Sequence, residues 1–97
     1  MDRDSVITIL KSHQADLVQM GVKSLALFGS VARNEAHSGS DVDLLVEFSR
    51  PVGLFEFIRV KLNLGELLGC EVDLVTPDAL RPRLRNTILH EAVHVAL

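Results

Sequence analysis

Apolar positions along this chain follow a helical period, then an alternating one, and the switches between them mark out its elements. Val6, Ile9, Leu10, Leu17 and Met20 recur at helical spacing, with His13 beside the stripe and Ile7 and Val18 widening it. Asp2 or Asp4 can cap that helix and suits its dipole, and Gly21 is a suitable stop. VKSLALF at 22–28 then alternates, with Leu25 and Leu27 on one side and Ala26 and Phe28 on the other, which predicts a strand. Gly29-Ser30 breaks it, and 31–36 is long enough for a short helix whose N-terminus points at whatever Ser30 contacts. HSGS at 37–40 has the composition of a loop. DVDLLVEF at 41–48 predicts a second strand, and its unbroken Leu44-Leu45-Val46 run implies burial on both faces, as in a central strand.

The second half repeats the alternation. SRPVG is a turn, and Leu54, Phe57, Ile58, Leu62 and Leu67 then recur at helical spacing up to Gly69. CEVDLVT at 70–76 predicts a third strand, closed by Pro77. From Asp78 the pattern is helical again, with Pro82 tolerated in a first turn and Leu84, Ile88, Leu89 and Ala92 on one face. The stretch 93–97 is either a short edge strand or a frayed end. The resulting order of helices and strands predicts an α/β (α+β) layer structure, a small β-sheet flanked by helices.

Composition narrows the class. With 97 residues, one domain spanning 1–97 is expected, and 47% hydrophobic content with 24% charge fits a globular chain. There is no Trp or Tyr and there are four Phe, so the core must be mostly Leu and Val. So high an apolar share on a short chain also suggests that some apolar surface meets a partner, as a homo- or hetero-oligomer. The net charge of −3 argues against a nucleic-acid partner. Arg81, Arg83 and Arg85 form a local basic cluster, read as a solvated helix end in preference to a phosphate contact. The single Cys70 excludes an intramolecular disulfide. With no signal-like start in MDRDSV and no apolar run of membrane-spanning length, the expectation is a cytoplasmic location and no membrane.

The chemistry concentrates in GSVARNEAHSGSDVD, residues 29–43. Asp41 and Asp43 lie two apart on a predicted strand, so their carboxylates project from the same face. Two such groups repel and one is forced towards its neutral form unless a cation intervenes. Mg²⁺ does so readily, combining one or two carboxylates with substrate phosphate oxygens. Gly29 allows close approach of backbone to an anion, Ser30 adds a hydroxyl, and Arg33 can offer a guanidinium fork. Asp73, in VDLV, matches Asp43 when that segment is aligned with VDLLV at 42–46. If the two strands are neighbours, Asp73 reaches the same cluster. Three carboxylates, Mg²⁺ and a triphosphate cradle would support in-line nucleotidyl transfer, with Asp73 as general base or its metal-bound equivalent.

One further motif competes. HEAVH at 90–94 matches the HExxH zinc-protease pattern, with two histidines on one helix face and Glu91 as base. A chain this small can hardly supply a third ligand and a peptide cleft, so the motif reads as a helix end where His90 and His94 favour the dipole.

The residues quoted resemble the minimal nucleotidyltransferase family, small members of the polymerase-beta-like superfamily. That family's signature, Gly-Ser, a ten-residue gap and Asp-x-Asp, stands here as Gly29-Ser30, residues 31–40 and Asp41-Val42-Asp43. LALFGSVAR, SDVDLLVEF, the LFEF helix and EVDLVTPDAL extend the likeness over nearly the whole chain. The resemblance implies a mixed-sheet nucleotidyltransferase fold, Mg²⁺ at Asp41, Asp43 and Asp73, and a nucleotide triphosphate at Gly29, Ser30 and Arg33. It also implies a HEPN-domain partner, often an RNase toxin, with this chain as antitoxin, in some pairs transferring AMP from ATP to a toxin tyrosine. The alternative is an antitoxin that neutralises its partner by binding alone. Asn34 departs from the family, which usually has Gly there; Asn is the next-best residue for a left-handed backbone. No acceptor or template domain fits in the remaining residues, so the acceptor is expected on another molecule.

Overall fold

A computed structural model describes residues 2–35, 41–95 and 97. Helix α1 (Arg3–Ser12) is capped by Asp2, whose carboxylate accepts from the Ser5 amide at 2.8 Å. The apolar stripe does not run on as one helix: α2 (Gln14–Gln19) is separate, and His13 lies between the two. The break has a local cause. Ser12 Oγ donates to the Ile9 carbonyl at 2.8 Å, and His13 Nδ1 lies 2.9 Å from the same oxygen. Side chains thus compete for an acceptor the helix needs to continue.

Strand β1 (Val22–Phe28) follows, then a single helical turn, α3 (Gly29–Ala32). The turn begins two residues earlier than the sequence pattern predicts, directly at the glycine. Strand β2 (Val42–Phe48), helix α4 (Leu54–Leu68), strand β3 (Val72–Val75), a 3₁₀ turn (Pro77–Ala79), helix α5 (Pro82–Glu91) and strand β4 (Val93–Val95) complete the order. The predicted loop at 37–40 and the end of the predicted helix at 36 lie outside the described residues.

The four strands form one mixed sheet in the order β3-β2-β1-β4. β1 is antiparallel to β2 and β4, whereas β2 and β3 run parallel, joined through α4. The tail is therefore an edge strand, and β2 is internal, as its Leu44-Leu45-Val46 run requires. All three of these residues are buried.

Strand alternation then sorts the side chains onto two faces. Leu25 and Leu27, Val42, Leu44 and Val46, Val72 and Leu74, and Val95 share a core cluster with Val6, Leu10, Leu17, Val60, Leu64 and Leu68 of the helices. That face is covered by α1, α2 and α4. The opposite face carries Ala26, Phe28, Asp43, Leu45 and Asp73. Ala26 and Leu45 are buried there outside the cluster, and Ile88 of α5 is also buried and outside it. Leu54, Phe55 and Leu62 of α4 are exposed. No described helix is long and apolar enough to cross a membrane.

Candidate active site

The site lies at the start of β2, on the face away from the helical core. β2 and β3 are paired so that Asp43 stands directly beside Asp73, and β1 places Phe28 on its other side. The main-chain link from the Val42 amide to the Glu71 carbonyl, 3.1 Å, fixes this register immediately before both carboxylates. Asp43 is half-buried, whereas Asp41 and Asp73 are exposed.

Asp43 carries the electrostatic signature of the site. Burial first, then the negative charges of Asp73 and Asp41 and a hydrogen bond to Asp73, push its carboxyl above the ordinary 3.8, with Arg33 opposing the shift. Its anion is disfavoured by exactly the neighbours that a cation would reconcile. Among the described residues, no three His, Cys, Asp or Glu side chains form a group that could hold one metal ion. Asp41 acts on Asp43 through its charge. Asp43 and Asp73, side by side on neighbouring strands, are a carboxylate pair of the kind that Mg²⁺ accepts while completing its shell with water and phosphate.

Gly29 is in place for a steric reason. Its φ is 74°, a left-handed value, and a Cβ there would run into the Asp43 carboxyl group. The turn at Gly29-Ser30 is thus stacked against the carboxylate, with both residues half-buried. Arg33 closes α3, its Nε donating to Glu35 at 3.0 Å and its Nη1 to Glu91 at 3.2 Å. Asn34 follows with φ 57° and its Oδ1 3.4 Å from the Arg3 amide, so the residue that departs from Gly does adopt the left-handed conformation.

Of the six residues singled out by sequence, Gly29, Asp43 and Asp73 are brought into one patch, with Arg33 within electrostatic reach and Ser30 and Asp41 flanking it. Glu35 and Glu91, which hold Arg33, were not identified in that role. Glu91 is 58 residues from Arg33, and no sequence pattern links them. The HEAVH motif is divided between two elements: His90 is in the last turn of α5 and His94 is in β4. Its histidines do not share a helix face, and His94 cannot serve that helix's dipole. Cys70 is half-buried, and burial pushes its thiol up, away from the reactive thiolate.

A turn packed on a strand carboxylate, with a second carboxylate in register beside it, is an arrangement that comparison with known proteins can place. Residues 4–95 match the nucleotidyltransferase domain family. The chain belongs to that family. Nucleotidyltransferase relatives include the protein adenylyltransferase MntA of Thermococcus cleftensis, 39% identical over 93 residues covering 95% of this chain and 94% of that protein. A Methanocaldococcus jannaschii protein, provisionally named a protein adenylyltransferase, is 47% identical over 79 residues, 81% of this chain and 85% of that one. A solved structure, provisionally described as a minimal nucleotidyltransferase, superposes with a TM-score of 0.83 at 40% identity, covering 96% of this chain and 95% of that one. A tri-AMPylated Shewanella oneidensis HEPN toxin in complex with MNT antitoxin gives a TM-score of 0.60 at 15% identity, over 89% of this chain and 71% of that one. This last likeness is one of nucleotidyltransferase fold alone.

Proposed function

We propose that this nucleotidyltransferase is an antitoxin that transfers AMP from ATP to a tyrosine hydroxyl of a HEPN-domain RNase toxin in the cytoplasm. The observation that carries the reading is the in-register pair Asp43–Asp73 stacked on the Gly29-Ser30 turn. The protein adenylyltransferase relatives support protein as the acceptor, and the AMPylated toxin complex supports its kind.

In this reading Gly29 and Ser30 receive the triphosphate, and Arg33 contributes its guanidinium to the phosphates. Asp43 and Asp73 would hold Mg²⁺, with Asp41, whose charge already acts on Asp43, joining them once the ion is bound; the ion would neutralise phosphate charge and polarise the phosphoryl oxygens. The acceptor oxygen forms a bond to the α-phosphorus as the bond from that phosphorus to the bridging oxygen breaks, and pyrophosphate leaves. Asp73, exposed beside Asp43, takes the hydroxyl proton. Catalysis is therefore mostly positioning and charge stabilisation, which suits a site assembled from one turn and two strand ends.

The test is label transfer from α-labelled ATP to a co-purified HEPN partner. Asp41→Asn and Asp43→Asn are each expected to abolish transfer while circular dichroism shows a folded domain. Full transfer by both variants would exclude this chemistry. Neutralisation of the toxin by Asp43→Asn without ATP consumption would make binding the function instead.

A further inference from the structure

Arg33 is held from two sides by residues that the proposed reaction does not use. Its Nε meets Glu35, two residues on, and its Nη1 meets Glu91 at the end of α5. A guanidinium has five N–H bonds in a fixed plane, so these two contacts leave three uncommitted to either carboxylate. Both the Arg33 and Glu91 side chains are partly shielded, 44% and 31% exposed respectively. Arg33 closes the turn that begins at Gly29, and that turn is packed on the Asp43 carboxyl, so the guanidinium lies one helical turn from the carboxylate patch. α5 follows the catalytic strands in the chain, and this ion pair ties its last turn to the nucleotide turn across 58 residues.

We propose that Glu91 is a positioning residue for nucleotide binding: its ion pair holds the Arg33 guanidinium in the plane that presents its remaining N–H bonds to the triphosphate. The proposal rests on the reading of Arg33 as a phosphate contact. Glu35 is a close sequence neighbour and fixes only the Nε side of the fork. Glu91 supplies the second, distant anchor, so the guanidinium can no longer swing about one contact. An arginine fixed before the ligand arrives loses less conformational freedom on binding. The glutamate of the HEAVH motif thereby has a role unrelated to zinc.

The experiment is calorimetric titration of the full chain with a non-hydrolysable ATP analogue and Mg²⁺, using Glu91→Ala, Glu91→Gln, Arg33→Ala and the Arg33→Ala/Glu91→Ala double variant. Glu91→Ala is expected to weaken binding about 2- to 5-fold, the range of a partly exposed ion pair. Glu91→Gln, which keeps an acceptor for Nη1, is expected to retain most of the affinity. In steady-state assays Glu91→Ala should raise KM with little change in kcat. In the Arg33→Ala background the Glu91→Ala effect should vanish, because the two act as one unit. Unchanged or tighter binding by Glu91→Ala, or a loss undiminished without Arg33, would overturn the proposal. If Arg33→Ala itself binds like wild type, the phosphate role of Arg33 falls and this proposal with it. If Arg33→Ala binds weakly and Glu91→Ala normally, the role of Glu91 alone is refuted.

Discussion

Asp43 is the residue in which stability and function oppose each other. Burial and the charges of Asp73 and Asp41 raise its carboxyl above 3.8, so the folded chain holds a proton that the unfolded chain has already released. Between 3.8 and the raised value the native state binds more protons than the unfolded state, and stability falls as pH rises through that window. Asp43→Asn removes the charge while keeping the shape, and its amide can donate to Asp73. The variant is expected to show a higher Tm than wild type at neutral pH, with the difference closing as pH is lowered below 3.8, where the carboxyl is protonated in the folded and unfolded chains alike. Mg²⁺ should narrow the neutral-pH gap by stabilising wild type alone. Scanning calorimetry across pH checks this, and a lower Tm for Asp43→Asn at pH 7 would contradict it. The cost of a poised carboxylate is the usual one at an active site.

Among the described α-helices, the shortest is the least forgiving. α3 is one turn, and it starts at a glycine whose left-handed φ and missing side chain make room for the Asp43 carboxyl. Gly29→Ala combines an unfavourable backbone with a collision, and should cost about 1–3 kcal/mol in urea denaturation as well as most of the activity. The larger elements were legible because their periods are clean. The alternation at 22–28 marks β1, the apolar run at 44–46 marks an internal strand, and the stripe ending at Gly69 marks α4. The division at His13 was not legible, because a continuous stripe records which side faces the core and not which acceptor Ser12 and His13 take. The start of α3 differs from the pattern for a related reason: glycine normally signals a break, and here it begins the turn. Of the site, Asp43 and Asp73 could be paired in advance because VDLLV and VDLV match. Glu91 could not, since only the fold brings the end of α5 to Arg33.

For the molecule as a whole, a small sheet separates two environments: Leu and Val packed under helices on one side, and carboxylates on the other. Which side Asp73 joins is decided upstream. Gly69 ends α4 with φ 69°, its amide donating to the Gly65 carbonyl at 2.8 Å, and Cys70 donates to the same oxygen at 3.2 Å. From that anchored stop the chain counts Cys70, Glu71 and Val72 before reaching Asp73, and each residue in a strand reverses the direction of the next. The link is therefore a parity counter. One glycine inserted after Gly69 should turn Asp73 under the helices and Val72 towards the carboxylate face, abolishing the proposed transfer and lowering stability. Two inserted glycines restore the parity and should recover part of the stability, read as a Tm above that of the single insertion. Equal Tm values for the two would refute the counting. The evolutionary corollary is that this segment can change its length only by even steps.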